Sequence, residues 1–323
     1  MLSITNREFN ETIRTPDGAE LPRSVSFDLD KNAPANSVFY CERLGDSDYR
    51  EVGSANFLQK LKESDAKQLL IFIHGFSNLP EPDIFPRAEQ LQRLFDAKEK
   101  NLVEIVPMIW PCDNDLGVVK DYWDDQKSAD KSAYSFARVL QRFMDWREEQ
   151  REGDPCIKRI NVLAHSMGNR VFRETLRVWD RYDLANGVPM LFRSTILMAA
   201  DIVNEALEDG QAGRLISHAS RNVSVYFASD DLALRSSKIS NLKNMVASRR
   251  LGHTGPEDMG KVLSNVYAID CDNFNNRYDF SAGHSYFLND DVGNSGMVFA
   301  HLFKTIKSGR VDVGPAANRS KIL

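Results

Sequence analysis

A chain of 323 residues that is 42% hydrophobic has material for one large core or two small ones. Its 41 basic and 46 acidic residues give a net charge of -5, so there is no broad positive field for a phosphate backbone, and nucleic acid is not an expected partner. Met1 to Glu20 carries charges where a signal peptide needs an apolar stretch, and no run reaches the roughly 18 apolar residues of a membrane span, so the expectation is a cytoplasmic protein without stable membrane insertion.

The segment 1–66 reads as an N-terminal extension, with a strand at Ser37–Cys41 and a helix at Ala55–Lys62, forming edge strands or a flap. Residues 67–310 read as one catalytic domain, and 311–323 as a C-terminal tail. Strand-length apolar runs recur at Leu69–Ile73, Val103–Trp110, Ile160–Ala164, Thr195–Ala200, Val223–Ala228 and Val262–Ile269. Helical patterns alternate with them at Arg87–Lys98, Ala129–Arg151, Asn169–Arg181, Gly213–Arg221 and Leu232–Ser248, and a terminal one lies near Gly293–Ile306. Alternation of this kind predicts an α/β architecture with a mostly parallel central sheet and helices on both faces. Pro111–Gln126, rich in Asp and Trp, reads as a loop over one sheet end; Trp110, Tyr122 and Trp123 serve there as packing or as a pocket wall. Cys41, Cys112, Cys156 and Cys271 are too scattered for a metal or disulfide framework and read as reduced, buried thiols.

The most informative string is Ile160-Asn-Val-Leu-Ala-His-Ser-Met-Gly-Asn-Arg170, an apolar strand that enters a small-x-Ser-x-Gly turn and continues as a helix. That is a nucleophile elbow, the mark of the α/β-hydrolase fold: Ala164 and Gly168 supply the small neighbours a strained turn requires, and Ser166 is the candidate nucleophile. The Met167 amide at the helix start is one candidate oxyanion donor. Upstream, Leu69-Leu-Ile-Phe-Ile-His-Gly-Phe76 is a buried strand ending in His-Gly, which makes the Phe76 amide the second donor and leaves the His74 ring a structural role.

A serine hydroxyl needs a base, and chain order places it after the last strand. His284 fits; His253 is the next candidate, while His74, His165, His218 and His301 belong to other elements. The orienting acid should follow a strand between the two. Asp231 is favoured, with Asp201 and then Asp230 as alternatives.

These residues resemble the bacterial α/β hydrolases of domain of unknown function 900, over roughly Lys67 to Phe287. The likeness rests on Phe72-Ile-His-Gly-Phe76, Ile109-Trp-Pro111, the elbow Leu163-Ala-His-Ser-Met-Gly-Asn-Arg170, Ala199-Ala-Asp201, Ser229-Asp-Asp-Leu-Ala-Leu234 and Gly283-His-Ser-Tyr-Phe287. The resemblance implies a Ser-His-Asp hydrolase. The family's Ser-x-Asp-x-Ala-Leu pattern falls on Asp231 and its Gly-His-Ser-Tyr-Phe pattern on His284. In the Ala199-Ala-Asp201 string many members carry a proline before the aspartate, which leaves the role of Asp201 open. The expected activity is hydrolysis of an ester-type bond in a small acyl substrate, without cofactor or metal. The alternative is a non-catalytic module of the same fold that binds a ligand.

Overall fold

The computed structural model describes residues 1–10, 21–112, 118–231, 249–272, 274–275, 283–290, 293–314 and 319–323. Its strands are β1 (Leu2–Arg7), β2 (Arg23–Val25), β3 (Pro34–Gly45), β4 (Asp48–Glu51), β5 (Gln68–Ile73), β6 (Val103–Ile109), β7 (Arg159–His165), β8 (Phe192–Met198), β9 (Val223–Phe227), β10 (Val266–Asp270) and β11 (Ser320–Ile322). The main helices are α1 (Ser54–Glu63), α2 (Phe85–Lys98), α3 (Val118–Glu149), α4 (Gly168–Tyr182), α5 (Arg214–Ala219) and α6 (Met297–Ser308). The strands form one sheet in the order β11-β10-β9-β8-β7-β5-β6-β1-β3-β4-β2. It is parallel from β11 to β1 and antiparallel from β1 to β2.

Buried parallel strands alternate their side chains between two cores. Leu69 and Ile73 of β5, with Val162 and Ala164 of β7, face α1, α3, α4 and α5. Leu70 and Phe72, with Leu163, face α2 and α6 across the other side. Helices therefore cover both faces of the mostly parallel sheet. The register pairs Ile73 with Met108 and with Ala164, so β5, β6 and β7 end level with one another and their following loops share one rim.

Several elements differ from their sequence pattern. β1 had no strand signal, yet it is buried between β6 and β3, because its inward polar side chains find partners. Thr5 donates to the Ile109 carbonyl (2.9 Å) and Asn6 to Ser132 Oγ (3.0 Å), while Arg7 donates to the carbonyls of Cys112 (2.8 Å), Asp28 (3.0 Å) and Leu29 (3.1 Å). Residues 118–126, expected as loop, are the first turns of α3; the buried Asp125 accepts from Asn32 Nδ2 (2.7 Å) and the Ser77 amide (3.0 Å). β10 begins at Val266 rather than Val262, since Leu263–Asn265 form a turn closed by Val266 N–H to Leu263 O. The end of the chain adds β11 in parallel beside β10. The helix expected over Leu232–Ser248 lies outside the described residues. Among the described residues no helix is long and apolar enough to cross a membrane.

Candidate active site

Ser166 stands between β7 and α4 with φ 53°, a left-handed conformation that a serine adopts only when its surroundings hold it there. The holding contacts come from the end of β8 and the residues after it: the Ser166 amide donates to Met198 O (3.0 Å), and the Asp201 amide donates to Ser166 O (3.1 Å). Asn169 adds its Nδ2 group to the carbonyls of Ala164 (2.9 Å) and Ser166 (3.0 Å). The small residues of the motif are steric requirements. A Cβ on Gly168 would come within 2.5 Å of the Ile73 carbonyl oxygen and 2.6 Å of that of His74. A Cβ on Gly75 would lie 3.0 Å from Ser166 Cβ, so the chain after β5 runs directly against the serine.

The His74 side chain shapes that chain. Its Nε2 accepts from the Trp110 amide (3.1 Å), so the ring proton sits on Nδ1 and donates to the Gly75 carbonyl (2.8 Å). Because the peptide unit is planar, anchoring Gly75 O turns the Phe76 N–H the opposite way, away from the ring. Trp110 stacks on His74 at 5.1 Å and 5°, and its indole N–H donates to His74 O (2.9 Å). Trp110 is thus fully buried packing beneath the loop. Burial holds the His74 imidazole down to about 3, so it is a neutral strut. Among the described residues neither the Phe76 nor the Met167 amide has an internal acceptor, which leaves both free to meet a ligand oxygen.

His284 Nδ1 lies 2.7 Å from Asp231 Oδ2, and the Asp231 side chain is fully buried. The same residue is tied to the elbow: its carbonyl accepts from His165 Nε2 (3.2 Å), and the two imidazoles sit 4.6 Å apart. His165 is pushed well below the ordinary imidazole range, first by burial and then by the charge of His284.

Asp201 is held elsewhere, with Tyr122 donating to Oδ2 (2.9 Å) and Arg250 Nε 3.1 Å from Oδ1. Asp230 accepts from Asn275 Nδ2. His253 lies on a single helical turn, Leu251–Thr254. His301 is bracketed by the Tyr226 hydroxyl (2.7 Å) and Asp312 O (2.8 Å), which is a packing role. Tyr122 meets Phe76 edge-on at 5.6 Å. Among the described residues no cluster of His, Cys, Asp and Glu could hold a metal ion.

A family model described as alpha/beta hydrolase of unknown function (DUF900) matches residues 50–292. The chain belongs to this family. The DUF900 chain is also similar to solved structures of phospholipase PlaB from Legionella pneumophila. One, in complex with thio-NAD, has 15% identity and a TM-score of 0.28 over 66% of this chain and 40% of that one. Another has 14% identity and a TM-score of 0.30 over 67% and 41%. The chain thus spans about two-fifths of the length of those phospholipases. A comparison with curated proteins finds no match.

Two contributors have no signal in the motif strings. His165 fills an unspecified motif position, and nothing local shows that its ring would reach the His284 backbone. Arg250 meets Asp201 through a turn far along the chain, wedged so tightly that a Cβ on Gly252 would lie 2.1 Å from the Ala200 nitrogen.

Proposed function

We propose that this DUF900 hydrolase is a serine hydrolase that cleaves an ester-type acyl bond, with Ser166 as nucleophile, His284 as base and Asp231 as orienting acid. The observation that carries this reading is the His284–Asp231 pair at 2.7 Å, fastened through the His284 carbonyl to His165, the residue next to a left-handed Ser166. In the first step Ser166 Oγ bonds to the substrate carbonyl carbon while His284 Nε2 takes the hydroxyl proton. Asp231 accepts from Nδ1 and supports the imidazolium. The Met167 and Phe76 amides hold the oxyanion, aided by the positive end of α4. The proton then passes to the leaving alcohol, and water releases the acyl group by the same route reversed. The substrate is a small acyl compound, and no cofactor takes part in either step.

A fluorophosphonate probe tests this: wild type should label at Ser166, and Ser166→Ala and His284→Ala should not. Asp231→Asn should lose about ten-thousand-fold in ester turnover, the size of effect expected when the base is left in the wrong tautomer. Asp201→Asn should lose stability instead, because it weakens the partner of a buried arginine. Equal labelling of wild type and Ser166→Ala would remove the proposal.

A further inference from the structure

At the opposite rim of the sheet, Arg159, Arg193 and Arg221 stand at or beside the N-terminal ends of β7, β8 and β9, neighbours about 4.8 Å apart. Arg147 from the last turn of α3 and Lys158 join them around a depression of about 360 Å³ whose lining contains no carboxylate. Their contacts are to neutral groups: Lys158 to Ser64 Oγ (2.7 Å), Arg193 to Gln68 Oε1 (3.1 Å), Arg147 over the Phe143 ring (5.7 Å). Among the described residues none of the five forms an ion pair, in a chain whose net charge is -5. Burial and the like charges of Arg159 and Arg221 pull the Arg193 guanidinium below its ordinary range. Glu104 and Asp65 offset part of the Lys158 charge, whereas among the described residues Arg159, Arg193 and Arg221 have no carboxylate at ion-pair distance, an arrangement that favours an anion.

Two apolar side chains border the same depression. Ile157 is 86% exposed and Met190 is 69% exposed, although both could have been polar without loss to the core. A soluble phosphate gains nothing from hydrocarbon held out in water, and a nucleic acid backbone offers it no apolar layer. A bilayer surface offers both: phosphates at the level of the arginines and an acyl boundary just beneath.

We propose that this face is a peripheral docking surface for anionic phospholipid bilayers, with lipid phosphates among Arg159, Arg193 and Arg221 and with Ile157 and Met190 entering the headgroup boundary. The orientation follows from the strands. Ser166 lies at the far end of β7, about 20 Å away at the rise of an extended chain. The docked protein therefore holds its elbow toward water, and its substrate arrives from solution. This surface is independent of the hydrolytic reading.

The test is co-sedimentation of the whole chain with vesicles of phosphatidylcholine alone and of equal parts phosphatidylcholine and phosphatidylglycerol, using Ser166→Ala beside wild type so that lipid turnover cannot alter the vesicles. Both proteins should pellet with the mixed vesicles and not with phosphatidylcholine. Binding should weaken as salt rises. Arg159→Gln with Arg221→Gln should reduce partitioning about thirty-fold, and Ile157→Ser about ten-fold. Circular dichroism and labelling at Ser166 should be unchanged in these variants, which separates lost docking from lost folding. Mixed vesicles that fail to pellet the folded wild type overturn the proposal. So does undiminished binding by the double variant, or binding of inorganic phosphate or a duplex oligonucleotide without binding of vesicles.

Discussion

Ser166 pays for its position in backbone strain, since a left-handed φ of 53° disfavours any residue with a Cβ by about 1 kcal/mol. Ser166→Gly should therefore raise the melting temperature by about 2 °C while abolishing probe labelling. A melt that falls instead would show that no strain is stored there. The elbow was readable from sequence because its constraint is local: Gly168 faces the Ile73 carbonyl at a separation no Cβ survives, and only glycine satisfies that. The proposed acid is only a ranked choice in the sequence. What separates Asp231 from Asp201 is that one meets His284 while the other meets Tyr122 and Arg250, and those partners are distant in sequence.

At the scale of elements, sequence pattern succeeded where polarity and burial agree and failed where they part. The strands of the parallel half announce themselves as apolar runs. β1 does not, since Ser3, Thr5, Asn6 and Arg7 are all buried within it, and the partners of Thr5, Asn6 and Arg7 lie on β6, α3 and the loops beside them. The first turns of α3 were hidden in the same way, by an aspartate that holds Asn32 and the Ser77 amide. Removing residues 1–10 exposes the β6 edge, strips about 4 kcal/mol of Leu2 and Ile4 burial and leaves the carbonyls held by Arg7 without their donor. Against a total stability of about 5–15 kcal/mol, that chain should be insoluble or lack a cooperative melt. Removing residues 319–323, which takes the short edge strand β11 with the Arg319 hydrogen bonds to Met259, Leu263 and Val266 and the buried Leu323, should leave a folded protein with a lower melting temperature. Solubility and circular dichroism melts check both outcomes.

For the molecule as a whole, the buried imidazoles of His74, His165 and His301, all held below their ordinary range first by burial, set the response to acid. His74 is held at about 3 and His165 well below 6.5, whereas both titrate near 6.5 once unfolded. In that interval the unfolded chain binds protons that the folded chain refuses, so stability is full above 6.5 and declines as pH falls through the window. By about pH 5.5 the urea midpoint should lie clearly below its value at neutral pH. A flat profile would mean that one ring gains a partner when charged. The strand order carries a further consequence, in time rather than energy. Outward from β5, the strands β7, β8, β9, β10 and β11 join the sheet in the order in which they are synthesised. At about 5–20 residues per second, the loop after β5 is made first, then Ser166, then Asp231 and last His284. Under the proposed mechanism the nascent protein carries an inert Ser166 throughout the synthesis of residues 167–283 and acquires a reactive one only when His284 emerges and folds onto a nearly finished sheet.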